Sequence, residues 1–306
     1  MIVVVGSLNY DLTVCAPRFP QPGETVLGDN FRTTPGGKGA NQAYTIAKMG
    51  TPVKILGCVG ADAFGDASLD SLRRVGVDVS LVLQRETTPT GVAVILLDAS
   101  GQNEIVVAPG ANTTLTAEEI RSAAPSLRTA RAVVTQLETT PEATQAALAL
   151  ARAMGVLSVL NPAPAQPVGD EVIALCDFLI PNESEASQLS GLAVRDLPSA
   201  EQAAAVLRGR GARNVIVTLG ANGAWVETEA WRGHIPAFSV PAVDTVAAGD
   251  VFIGAFVVRL LEGAPMPEAV RFGCAAAAIA VSRPGSQPSV PTRAEVDAFL
   301  AERGYK

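Results

Sequence analysis

Histidine is nearly absent from this 306-residue chain: His234 is the only one. A Ser-His-Asp triad or a multi-histidine metal site must use that residue or be excluded. Flanked by Gly233 and Pro236, it reads as an exposed strand or loop residue rather than a catalyst. Cysteine is scarce too, and Cys15, Cys58, Cys176 and Cys274 are too scattered to form a CxxC pair. That removes a zinc ribbon and a dithiol redox motif. The four thiols suit a reducing cytoplasm and read as small buried apolar groups. Basic residues are outnumbered, 23 Lys and Arg against 30 Asp and Glu, for a net charge of −7. Nucleic acid is therefore not the expected partner, because phosphate backbones need a basic face. Long hydrophobic runs are missing. The longest, Cys274–Val281, has eight residues, far short of the ~18 of a membrane span. No basic region precedes the apolar run Ile2–Val5, so no secretory signal is expected.

What is present is an ample supply of core: 48% of residues are hydrophobic, enough to exclude disorder. One domain over residues 1–306 is expected, with no repeat and no low-complexity linker. Apolar runs at Ile2–Val5, Val53–Val59, Ala132–Thr135, Val156–Leu160, Phe178–Ile180 and Asn214–Thr218 alternate with helical segments. They are continuously hydrophobic, as parallel strands covered on both faces are, so a three-layer α/β fold is predicted. Thr140-Pro141-Glu142 reads as a helix start and Gly155 as its stop. Thr116/Glu119, Ser199/Gln202 and Thr292/Glu295 fit capping-box spacing. Two stretches, 12–34 and 91–108, break the rhythm as strands without an intervening helix, and Ser100-Gly101 marks a hairpin turn. Because Val92, Val94 and Leu96 alternate with Ala93, Ile95 and Leu97, both faces of the second stretch are apolar. Such strands either form a small sheet, covering substrate on one face and a second subunit on the other, or extend the main sheet.

Asp244-Thr245-Val246-Ala247-Ala248-Gly249-Asp250 precedes a helical run from Val251 to Leu261. Small residues before a helix leave free N–H groups, backed by the dipole, as an anion site. Asp250 falls in the first turn, placed as a general base for a hydroxyl that attacks phosphorus; the alternative is an ordinary first-turn acid. Pro35-Gly36-Gly37-Lys38-Gly39-Ala40-Asn41 is not a Walker A loop, since Gly39 follows the lysine where Ser or Thr is required. Its glycines allow close backbone approach, and the Asn41 amide suits a vicinal diol. Asn9 and Asp11 follow the first strand, where ligands of open α/β sheets bind, though both residues also favour turns. No GxGxxG follows that strand, which weighs against a dinucleotide dehydrogenase. Asn182 and Glu185 fit a cap and its N3 partner, or an acid beside the water shell of Mg²⁺. Gln136-Leu137-Glu138 and Asn161-Pro162-Ala163-Pro164 follow strands as polar ends or cleft walls, and Thr218–Gly223 is a glycine turn that a nucleotide could approach.

With these motifs on one chain, the sequence resembles the ribokinase-like (PfkB-type) carbohydrate kinases nearly end to end. Gly6-Ser7-Leu8-Asn9, Gly36–Asn41, Gln136–Glu138, Asn161–Ala165, Pro181–Glu183, Thr218–Gly220, Asp244–Asp250 and Gly285–Pro291 carry the likeness. The resemblance implies ATP-dependent phosphorylation of the 5-hydroxyl of D-ribose. By position, Asp250 is then the base and Ala247, Ala248, Gly249 and the Asp250 amide the anion hole. Asn9, Asp11, Gly37, Lys38, Gly39, Ala40, Asn41 and Glu138 hold the sugar. Asn182, Thr218, Leu219, Gly220, Ala221, Asn222, Gly223 and Cys274 lie along ATP, and Glu185 acts through the waters of Mg²⁺. A K⁺ ion is implied at Asp244, Val246, Ala280, Arg283, Gly285 and Ser289, largely through carbonyls. The implied fold is a central, mainly parallel sheet flanked by helices, with a small β lid (12–34 and 91–108) that also forms a homodimer interface. Two departures stand out: Tyr10 where a small residue is common, pointing away from the sugar by alternation, and Cys274 where a more polar one is. A kinase for 2-deoxyribose or a ketohexose is the neighbouring reading; an inactive sugar-binding regulator is a distant one.

Overall fold

The computed structural model describes residues 1–99 and 102–305. The hairpin turn expected at Ser100-Gly101 lies outside the described residues. Thirteen strands are described: β1 Ile2–Val5, β2 Asn9–Cys15, β3 Asp29–Gly36, β4 Val53–Gly60, β5 Asp78–Arg85, β6 Gly91–Leu97, β7 Asn103–Ala108, β8 Ala132–Thr135, β9 Leu157–Leu160, β10 Phe178–Leu179, β11 Asn214–Thr218, β12 Ala224–Glu227 and β13 Arg232–Ile235.

Nine of these form one sheet in the order β13-β12-β11-β10-β9-β8-β1-β4-β5. The seven strands β11-β10-β9-β8-β1-β4-β5 pair in parallel, and the β12–β13 hairpin is added antiparallel at one edge. The expected layering is visible within β1, whose four residues are all fully buried. Ile2 and Val4 pack with Phe256 and Ile279 on one face, while Val3 and Val5 pack with Leu127 and Ala147 on the other. Alternate residues of a strand point to opposite faces, so an unbroken apolar run is what a doubly covered strand needs. Strands β5, β12 and β13 were not read from sequence. β5 and β13 are the edge strands, where half-buried polar residues blur the hydrophobic signal, and β12 is only four residues long with Trp225 and Glu227 alternating with its buried Ala224 and Val226. His234 is on β13, half-buried, with Nε2 2.6 Å from the Asn222 carbonyl.

Local punctuation formed largely as the sequence suggests. Thr140 caps helix Pro141–Met154, which ends at Gly155 in the left-handed conformation, and capping boxes close at Thr116/Glu119 and Thr292/Glu295. The Ser199/Gln202 box is a correction. Asp196 is the cap of helix Leu197–Gly209, and Ser199 is its N3 partner. A carboxylate three residues earlier outcompetes the serine hydroxyl, and Pro198 fits the first turn.

Strands β3-β2-β6-β7 form a separate sheet, so the two stretches that broke the βα rhythm do not extend the main one. Pairing is parallel between β2 and β6 and antiparallel elsewhere. It starts at Asn9 rather than Leu12. Ile95 is buried on one face and Val94 is 42% exposed on the other. Tyr10 stacks on Phe64 of helix Ala63–Arg74, centroids 4.6 Å apart, on the opposite face of β2 from Asn9 and Asp11.

Candidate active site

The strand order of the main sheet reverses at β1, which has β4 on one side and β8 on the other, both parallel to it. At such a reversal the connections leave to opposite sides and open a crevice beyond the strands' carboxyl ends. Ser7 and Asn9 follow β1, Gln136 and Glu138 follow β8, and Asn161, Asn182 and Leu219 follow β9, β10 and β11. Across the crevice Ser7 Oγ donates to Glu138 Oε2 at 2.5 Å, and the Lys38 amide donates to the same oxygen at 3.1 Å. Helix Lys38–Lys48 can reach that depth only because of glycine. A β-carbon on Gly39 would lie 2.6 Å from the backbone of Gly6 and Ser7, and Gly37 sits at φ 89°.

Asp250 stands in the first turn of helix Ala248–Leu261, 6% exposed. Gln42 Nε2 donates to its Oδ1 at 2.9 Å and Asn41 Nδ2 to its Oδ2 at 3.1 Å. The donors are themselves oriented. Gln136 Nε2 donates to Gln42 Oε1 at 2.7 Å, and Asn161 Nδ2 donates to the Ile180 carbonyl, leaving its Oδ1 to accept from Gln42. Every neighbour offers a hydrogen, as an ionised carboxylate requires. Burial nevertheless pushes the Asp250 carboxyl up, opposed by the Lys38 charge and these two hydrogen bonds. A carboxylate kept deprotonated yet made more basic is a suitable proton acceptor.

Before Asp250, Ala247 caps the helix in the left-handed region at φ 62°, with no side-chain hydrogen bond at the helix start. Strain of that kind in a non-glycine residue persists only where surroundings demand it. A β-carbon at Gly249 would meet nothing within 4 Å. The Ala248 amide donates to the Thr245 carbonyl at 3.3 Å, which leaves the Gly249 and Asp250 amides to face a ligand, with the helix dipole behind them. They line a cavity of about 190 Å³ shared with Lys38, Asn161, Asn182, Glu185 and Thr218. A second cavity of about 430 Å³ lies between the small sheet and the body, walled by Asp11, Thr13, Arg32, Thr34 and Ile95 opposite 242–246 and 284–286. Thr245 lines both.

Acidic groups are crowded here. Burial and the charges of Glu138 and Asp250 push the Asp11 carboxyl up to about 7. Glu185 is also raised, chiefly by burial. Burial disfavours the Lys38 ammonium, yet Asp250, Glu138, Glu185 and Asp11 together hold it above the ordinary lysine value. One cation thus serves four carboxylates.

Other expected residues fall in varied settings. Glu185 is spent as a cap partner, accepting from the Asn182 amide and Nδ2 at 2.9 and 3.0 Å, while still facing the smaller cavity. Leu219 is buried in the core, Gly220–Asn222 forms a 3-10 turn, and Gly223 has φ 88°. Cys274 is buried in helix Met266–Val281, lines neither cavity, and its thiol is pushed up to about 12 by burial. Asp244 ties two loops together by accepting from the Val246 amide at 3.0 Å and the Gly285 amide at 2.9 Å. Arg283 pairs with Glu295 through its side chain, and Ser289 Oγ donates to the Ser286 carbonyl. Among the described residues no group of three or more His, Cys, Asp and Glu could hold a metal ion. Gln42, Arg32 and Asn112 were missed in the sequence. Gln42 had a signal, since it follows Asn41 in the same helical turn; the others had none.

A family description, pfkB family carbohydrate kinase, matches residues 1–293. The chain belongs to this family. It is 41% identical over 299 residues to the ribokinase of Haemophilus influenzae, covering 98% of each chain. To a deoxyribokinase of Salmonella typhi it is 36% identical over 301 residues, 98% of each chain. A solved Arabidopsis thaliana ribokinase complexed with ribose and ATP superposes with a TM-score of 0.90 at 32% identity, 97% of each chain being covered.

Proposed function

We propose that this kinase transfers the terminal phosphoryl group of ATP to the 5-hydroxyl of D-ribose. The observation that carries the reading is Asp250: a buried, acceptor-only carboxylate at a helix start, lining the smaller cavity, which shares Thr245 with the one beneath the small sheet. Asp250 takes the hydroxyl proton as the oxygen attacks phosphorus, and the Ala247–Asp250 amides bear the charge on the transferring group. Asn9, Asp11, Asn41 and Glu138, with the Gly37–Ala40 backbone, hold the sugar. Asn41 Oδ1 is buried without a partner, as a residue awaiting a hydroxyl would be. ATP lies along Asn182 and Thr218–Gly223; Cys274, buried in its helix and lining neither cavity, is not part of that contact. A panel of sugars with ATP and Mg²⁺, read by ADP release, tests this. Ribose should lead, and 2-deoxyribose should lose ~10⁴-fold in kcat/KM if its missing hydroxyl leaves buried polar groups unpaired. A preference for deoxyribose, as the deoxyribokinase likeness would allow, overturns the choice of sugar. No phosphorylation of any sugar overturns the kinase reading.

The residues also fit two cations. Glu185 faces the phosphate cavity and suits the water shell of Mg²⁺, which when bound neutralises phosphate charge. Asp244 with the carbonyls of Val246, Ala280, Arg283 and Gly285, and with Ser289, makes an oxygen-only set suited to K⁺. Asp244 ties the 244–246 and 285 loops together, so the cation's role is to stiffen the anion hole. Replacing Na⁺ with K⁺ at matched ionic strength should raise turnover; equal rates would argue against the site.

We further read residues 1–306 as one catalytic domain in which the segments 12–34 and 91–108 act as a lid. The outward face of the small sheet pairs Val94 with Val106, 42% and 72% exposed, an apolar edge suited to a twofold-related copy. Val94→Lys should convert a dimer to monomers in sedimentation at micromolar concentration. A wild-type monomer with full activity would sink the shared lid. Four unpaired cysteines suit a cytoplasmic location.

A further inference from the structure

Asn112 lies in the Gly110–Thr114 turn that follows β7, outside both cavities and 1% exposed. Its amide orientation is dictated by its neighbours. The Leu8 amide can only donate, so it meets Oδ1, at 2.9 Å; the Leu8 and Pro109 carbonyls can only accept, so they meet Nδ2, at 3.1 and 3.0 Å. The same Nδ2 donates to Asn9 Oδ1 at 2.7 Å, the shortest of the four bonds. The oxygen of Asn9 is thereby consumed, and its Nδ2 makes no hydrogen bond among the described residues. Asn9 shares a face of β2 with Asp11 and Thr13, which line the larger cavity.

The pair also sits at the root of the small sheet. Gly91 is the register partner of Asn9, and a β-carbon there would come 2.5 Å from Asn112 Nδ2. The chain crosses between body and small sheet at Leu8, at Gly36–Gly37, at Pro89–Gly91 and at Pro109. Asn112 bonds directly to the first and last of these, and the neighbouring Ala111 amide donates to the Pro89 carbonyl at 2.8 Å.

We propose that Asn112 is a positioning residue for the sugar: it locks the Asn9 amide so that its NH₂ group is offered to a substrate hydroxyl, and ties that contact to the base of the small sheet. The inference rests on the reading that Asn9 touches the sugar. An oriented donor opposite the Asp11 carboxylate recognises a hydroxyl through both its oxygen and its hydrogen, which suits a polyol. Without Asn112 the Asn9 amide rotates freely and presents its oxygen half the time.

The test is a double-mutant cycle between Asn9→Ala and Asn112→Ser, with Asn9→Asp as a third variant, in the full-length enzyme. KM for ribose, KM for ATP, kcat and melting temperature are measured for each. Asn112→Ser should raise the ribose KM by about 10–100-fold, the usual loss when a supporting partner is removed. The ATP KM and kcat should stay within about threefold, since Asn112 lines neither cavity. Asn9→Asp keeps an acceptor for Asn112 but removes the NH₂ group, and should match Asn112→Ser. In the Asn9→Ala background Asn112→Ser should add little further loss, because the two act as one unit. Equal damage to both KM values, to kcat and to melting, persisting in the Asn9→Ala background, would make Asn112 merely structural and overturn the proposal. Should wild type prefer another sugar, the choice of ribose fails there, and the same cycle run with that sugar still decides the role of Asn112.

Discussion

Asp250→Asn is expected to lower kcat by ~10²–10⁴-fold, the usual contribution of a positioned general base, while the ribose KM changes only a few-fold. Asn41 Nδ2 and Gln42 Nε2 both donate to the carboxylate, and an amide can accept from only one of them. The cost of that lost bond is offset by removing a buried charge, so melting should stay close to wild type. Steady-state rates, paired with a ribose-binding titration, check both halves. A variant turning over within a few-fold of wild type would remove Asp250 from the mechanism.

Lys38→Met is expected to be nearly as damaging, and in a pH-dependent way. The charges of Asp250, Glu138, Glu185 and Asp11 all act on this one half-buried cation. Without it Asp250, Asp11 and Glu185 hold their protons to higher pH, and a protonated Asp250 is no base. Activity should fall by roughly 10²-fold near neutral pH, and the acid limb of the rate profile should move upward, so that part of the loss is recovered in alkali. Stability follows the same linkage. Burial raises the Asp11 carboxyl from 3.8 to about 7, so between those values the folded state binds more protons than the unfolded chain. Stability therefore falls as pH rises through that window. The variant should steepen this trend, melting near wild type at pH 5 and roughly 5 °C lower at pH 8. An unshifted rate profile together with parallel melting curves would show that Lys38 does not govern these acids.

The layered α/β plan was legible because strands covered on both faces must be apolar without interruption. Ile2–Val5, Ala132–Thr135 and Asn214–Thr218 declared themselves for that reason and formed within their expected bounds. The edges were less readable: β5 and β13 are partly solvated, and the compositional contrast that marks a buried strand fades there. Asp250 was visible because small residues before a helix start follow a local rule, and local rules can be read from spacing. The partners of Asp250 were not. Gln42 reaches the carboxylate from a helix and is itself oriented by Gln136 and Asn161 at two strand ends, and only the assembled sheet makes them neighbours. Asn112 is 103 residues from Asn9 in sequence; nothing near either residue announces the other. Sequence alone determined which elements form and which chemical groups stand at their ends, because backbone sterics and burial act over a few residues. Tertiary structure decided which of those groups share a proton, a hydrogen bond or a charge, because such interactions decay within a few ångströms of space and take no account of distance along the chain.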